Sequence, residues 1–111
     1  MNEAGFSTDS QAIWDWADER LSELMGTINA ATAELVSVVA RVIETGAWGG
    51  AGVRSPEHWV AWRAGVSPNR AAALVGAARR LSELPRVATA FAEGRLSEDA
   101  VRLVVARTPS D

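Results

Sequence analysis

Between Ile13 and Ile28 the apolar residues Ile13, Ala17, Leu21, Leu24, Met25 and Ile28 return at the 3.6-residue period of a helix, while Asp15, Asp18, Glu19 and Glu23 lie mainly off that stripe. Thr8, with Gln11 three residues later, has the spacing of a capping box and predicts a helix from Asp9 onward, after a tail over residues 1–7. Gly26 and Thr27 leave two arrangements open. An interior Gly costs only about 1 kcal/mol relative to Ala, so residues 9–45 form either one helix or two with a break near 28. From Asn29 to Thr45 the pattern is apolar on more than one side, through Leu35, Val36, Val38, Val39, Val42 and Ile43. That predicts a central helix with neighbours around it, ended by Gly46.

Trp48-Gly49-Gly50-Ala51-Gly52 reads as a connector with an aromatic anchor. Without a preceding strand or a following Gly-Lys-Ser/Thr, its glycines predict a turn rather than a phosphate cradle. Ser55-Pro56 and Ser67-Pro68 each place an N-cap before a Pro at the first helical position, and Gly65 closes the short helix between them. The following helix places Ala71, Leu74, Val75, Ala78 and Leu81 on one stripe, and Pro85 interrupts it. A short helix is predicted over 86–93, stopping at Gly94, and a last one from Ser97 through Ala106, before a tail over 108–111. Ala61-x-x-x-Gly65-Val66-Ser67 is echoed by Ala90-x-x-x-Gly94-Arg95-Leu96-Ser97 with one residue inserted. No strand pattern competes, so the chain is expected to be all-α: a single compact bundle of five or six helices over 1–111, with helix 29–45 central and the 56–81 pair packed on it.

The segment Trp59 to Leu81 has the spacing of a helix-turn-helix, with small Ala61 at the crossing, Gly65 in the turn, and Val66, Ala71 and Leu74 to lock the pair. Such a second helix can enter a major groove; Asn69 and Arg70 would then reach base edges, Arg79 and Arg80 the phosphates, and Arg54 is a further DNA-contact candidate. The same small residues equally serve an ordinary corner of a bundle. On the other side of this helix Ala72, Ala73 and Gly76 make a smooth strip suited to a second helix, from a protein partner or a homodimer. Trp59 and Trp62 project away from this corner and are expected to bury against 29–45.

Charge sharpens this picture. Residues 1–44 carry a net −6, residues 45–86 a net +4 and the remainder −1, so a locally basic segment sits on an acidic chain of net −3. The chain has no Cys, which excludes disulfides and Cys-based zinc sites and fits a reducing cytoplasm. His58 is the one His, too few for a metal site or a catalytic triad. No catalytic, cofactor-binding or metal-binding set is predicted. The N-terminus lacks the basic-then-apolar order of a signal peptide, and no apolar run is expected to approach the roughly 20 residues that span a bilayer.

Taken in order, Gly46-Ala47-Trp48, Gly52-Val53-Arg54-Ser55, Trp59-Val60-Ala61, Gly65-Val66-Ser67, Ala71 to Ala73, Leu81-x-x-Leu84-Pro85 and Gly94-x-Leu96-Ser97 form a set of small motifs. Together they resemble the N-terminal helical domain of the actinobacterial 13E12 repeat family, also known as domain of unknown function 222, over residues 30–107. That resemblance implies a non-catalytic accessory domain that usually precedes an HNH endonuclease domain and helps place it on DNA. It brings no catalytic residues with it. The chain departs from the family pattern at Ala51, where an acidic residue often precedes the connector Gly, and it carries no HNH segment.

Overall fold

In a computed structural model of the chain, which describes residues 3–109 and side chains from Asp9 onward, five α-helices and one 3₁₀ turn follow one another without a strand among the described residues. They are α1 (Glu3–Thr45), α2 (Pro56–Ala64), α3 (Pro68–Arg80), α4 (Pro85–Ala92) and α5 (Glu98–Arg107), with the 3₁₀ turn at Leu81–Glu83. The all-α bundle expected from the periodicity is present. Its helix boundaries follow the cap residues. Ser55, Ser67 and Ser97 accept from the backbone N–H of His58, Arg70 and Ala100 at 3.0, 3.1 and 3.1 Å.

The closing turns follow the same logic. Gly65 takes a left-handed backbone (φ 68°), which lets the Val66 N–H reach the Ala61 carbonyl at 3.2 Å. Gly94 (φ 81°) does likewise, with the Arg95 N–H donating to the Ala90 carbonyl at 2.9 Å. The sequence echo between residues 61–67 and 90–97 is therefore one helix-ending turn used twice.

In the N-terminal region one expectation is corrected and one open choice is resolved. Helix α1 is already formed at Glu3, so the Thr8–Gln11 spacing falls inside a helix and does not start one; the Thr8 side chain lies outside the described residues. Nor does Gly26 break it: residues 9–45 are one uninterrupted helix. Gly26 instead meets a residue far away in sequence. Gly94 lies so close to α1 that a Cβ on it would stand 2.5 Å from the Gly26 carbonyl oxygen. One turn on, the buried Asn29 amide donates to the Gly94 carbonyl at 3.4 Å. The α4–α5 turn clasps α1 at Gly26, and the helix passes beneath it.

The core lies entirely on the C-terminal side of that clasp. Val36 and Val39 of α1, Val60 of α2, Phe91 of α4 and Val101 of α5 surround α3, which buries Ala71, Leu74, Val75, Ala77 and Ala78. Helix α3, with α1, α2 and α5 all packed on it, shares the centre with residues 29–45 of α1, the helix that meets all four others. N-terminal to the clasp, α1 continues without a partner. The molecule measures 64 Å along its longest axis, the length of a 43-residue helix at about 1.5 Å per residue. Its radius of gyration is 18.7 Å, against about 13 Å for a compact chain of this size. We refer to residues 9–28 as the arm and to residues 29–109 as the body.

Two further differences concern apolar residues. Trp62 is 67% exposed rather than buried against α1. Helix α2 is only nine residues long and buries the side holding Pro56 and Val60, and Trp62, two residues past Val60, points the other way. Its ring carries the Arg63 guanidinium at 5.5 Å, while Trp59 does pack on the core. Secondly, within Asp9–Thr45 an 18-residue window reaches a mean hydropathy of 1.3, long and apolar enough to cross a membrane by length and composition. The core half of α1 supplies Val36, Val39 and Ile43 to this hydropathy, and these residues pack inside the body.

The clasp makes opposite predictions for its two glycines. Gly94→Ala should lower stability by about 1–3 kcal/mol from the left-handed backbone alone, with the collision against Gly26 adding to it. Gly26→Ala places its Cβ where nothing lies within 4 Å and should raise stability by up to about 1 kcal/mol. Thermal unfolding followed by circular dichroism distinguishes the two. A Gly26→Ala variant less stable than the parent would refute the clasp geometry.

Candidate interaction surfaces

The five side chains considered for DNA contact divide into two groups. Arg54 and Asn69 are exposed at the starts of α2 and α3. The other three are already engaged within the chain. Arg70 forms a two-pronged bond with Glu98 of α5, its Nε and Nη2 donating at 3.2 and 2.8 Å, and the Glu98 carboxylate raises the Arg70 pKa above its ordinary value through that bond and its charge. Arg79 pairs with Glu57 of α2 at 3.5 Å.

Arg80 is the most deeply committed. With its side chain 19% exposed, it bonds Glu83 at 3.0 Å and donates to the carbonyls of Val105 and Thr108 at 3.2 and 3.0 Å. Those carbonyls belong to the end of α5, where the last turn of a helix leaves acceptors without intrahelical donors and a cation is favoured. Arg80 therefore ties the end of α3 to the end of α5. A phosphate would compete with these partners for each of the three guanidinium groups.

The strip formed by Ala72, Ala73 and Gly76 is only partly open. Ala72 is exposed, whereas Ala73 and Gly76 border a small hollow of about 190 Å³ shared with Arg102, Val105 and Ala106 of α5. A larger apolar groove of about 520 Å³ runs between α1, α3 and α4, floored by Val36, Ala40, Ala78 and Phe91 and edged by Arg79 and Glu44. His58 serves the local backbone, its Nδ1 accepting from the Arg54 N–H at 3.2 Å and so closing the entry to α2. Among the described residues, no group of three or more His, Cys, Asp or Glu side chains could hold a metal ion.

The most conspicuous surface is one that periodicity alone does not single out. On the arm, Ile13, Trp14, Trp16, Leu21 and Ile28 are each more than half exposed, and Leu24 and Met25 more than two-fifths. Soluble chains scatter single apolar residues over their surfaces, whereas here seven lie together between residues 13 and 28. A 3.6-residue period tells which face is apolar. It does not tell whether anything covers that face.

A family model described as Domain of unknown function (DUF222) matches residues 18–110. The chain belongs to this family. No curated protein and no solved structure matches it. The DUF222 match takes in the body together with the inner part of the arm, from Asp18 through the Gly26 clasp, and leaves residues 9–17 of the arm outside it.

The arginines of this DUF222 domain yield a stability prediction. Arg80→Ala should cost about 1–3 kcal/mol by stranding the α5 carbonyls, whereas Arg79→Ala, which loses one half-exposed pair, should cost about 0–1 kcal/mol. Chemical denaturation of the two variants measures the order, and equal losses would argue against Arg80 as the tie between α3 and α5.

Proposed function

We propose that this DUF222 domain is a non-catalytic helical module that binds protein through the long exposed side of α1. The observation carrying this reading is the arm: a helix continuous with the core, bearing large apolar side chains that no part of the described chain covers. Helices shorter than about 12–15 residues are marginal in water, and most helical stability comes from packing an apolar face on something else. A bare apolar arm is thus the half of an interface that awaits its partner. The arm is also acidic, with five carboxylates against Arg20, which favours a protein partner over a phosphate backbone.

The DNA reading rests on the body. Its remaining support is Arg54 and Asn69, together with the net +4 of residues 45–86, because using Arg70, Arg79 or Arg80 would mean exchanging an existing partner. Such contacts would make affinity fall steeply with salt. A titration of labelled duplex DNA at low and at physiological salt decides between the readings. We expect no saturable binding at either. Saturable binding that weakens steeply with salt and is lost in an Arg54→Ala/Asn69→Ala variant would overturn the protein-interaction reading.

A further inference from the structure

Along α1, positions 14, 21, 28, 35 and 42 are Trp, Leu, Ile, Leu and Val, and the intervening positions 17, 24, 31 and 38 are Ala, Leu, Ala and Val. The steps alternate three and four without interruption over four heptads, the spacing of a coiled-coil seam. This seam lies beside the face that meets the body, which uses Asn29, Thr32, Val36 and Val39, and borders it at Leu35, one side of which packs on the core. It is bare along the arm and beyond it: Trp14 is 62% exposed, Leu21 60%, Ile28 52% and, well inside the body, Val38 51%. Ala31 is exposed, and Leu35 and Val42 are half-buried.

We propose that a second copy of this chain covers the seam, the two α1 helices running antiparallel about a two-fold axis near Gly26; this rests on the protein-interaction reading above. Side-chain size selects this arrangement. An antiparallel pair sets one half of the seam against the other, and with the axis near Gly26 the layers are Leu21 on Ala31 of the partner, Leu35 on Ala17, Trp14 on Val38 and Ile28 on Leu24. Every layer but the central one joins a larger side chain to a smaller one, as even packing requires. A parallel pair would stack Trp14 on Trp14 and Ala17 on Ala17, wide next to thin.

Charge selects the same register. Arg20 and Glu34 both lie on the flank just before the seam, and the antiparallel layers bring Arg20 of each copy opposite Glu34 of the other. Arg20 otherwise has only an exposed 3.1 Å pair with Glu23, and Glu34 has no ion pair among the described residues. Sliding the partner by one heptad in one direction sets Arg20 against Arg41, and in the other against Thr27. A parallel pair would also hold the two acidic arms side by side, whereas the antiparallel pair lays each arm along residues 29–45, which carry Glu34, Arg41 and Glu44.

The absence of native Cys makes the geometry directly measurable in the full chain. Static light scattering should report a dimer at tens of micromolar. Under mild oxidation the double variant Leu21→Cys/Ala31→Cys should form a covalent dimer on a denaturing gel, and Leu21→Cys alone should not, because antiparallel copies hold position 21 far from its own mate. Both sites are exposed, and unchanged far-ultraviolet circular dichroism verifies folding. Arg20→Glu should weaken dimerisation roughly fivefold, and the exchange Arg20→Glu/Glu34→Arg should restore it. Cross-linking of Leu21→Cys alone as efficient as that of the double variant would show a parallel pair and overturn the proposal. A monomer throughout the concentration range would overturn it too. Neither result touches the protein-interaction reading, which stands or falls on the duplex titration.

Discussion

The body depends on how closely its helices can approach α3. That helix meets α1, α2 and α5 on different sides, and it can do so because the side chains at its contacts are mainly alanines, with Leu74 and Val75 as the larger wedges. Interiors pack at crystal-like density, so a larger side chain at Ala71, which is 0% exposed, would push apart the elements that pack on α3. Phe91 and Val101 fill the space on the far side. The salt bridges at the surface follow from this packing: Arg70, Arg79 and Arg80 reach Glu98, Glu57 and the α5 carbonyls because α3 has already brought those groups within range.

What was legible in the amino-acid sequence is what local chemistry determines. Ser55, Ser67 and Ser97 cap because a short hydroxyl side chain can satisfy a free N–H within three residues, and Gly65 and Gly94 end helices because a left-handed backbone is costly for anything else. Elements whose form depends on distant residues were not legible. Gly26 reads as a weak point until Gly94 is seen lying on it, 68 residues later in the chain. Arg70 and Glu98 are 28 residues apart, so a segment read as a basic face turns out to be partly neutralised by an acid from α5, while Arg79 is taken up by Glu57 within the segment.

The apolar stripe of α1 illustrates the limit in another way. Its period was plain, but an amphipathic face implies a partner without saying where the partner is. Trp62 raises the same difficulty on a smaller scale: its size suggested burial, and only the nine-residue length of α2 and the placement of Val60 leave it facing solvent. Burial is a property of the assembly of helices and is decided after each helix has formed.

Because α1 is uninterrupted from arm to core, its two halves share one helical phase. Each residue advances the face by about 100°, so one residue inserted near the Gly26 clasp would turn the whole arm by that angle relative to the body while leaving every contact within the body intact. Seven inserted residues would nearly restore the original direction and lengthen the arm by about 10 Å. The helix thus acts as both axle and ruler. The bearing of the arm is recorded in the number of residues between its apolar side chains and the clasp, and evolution can alter that number without repacking the core.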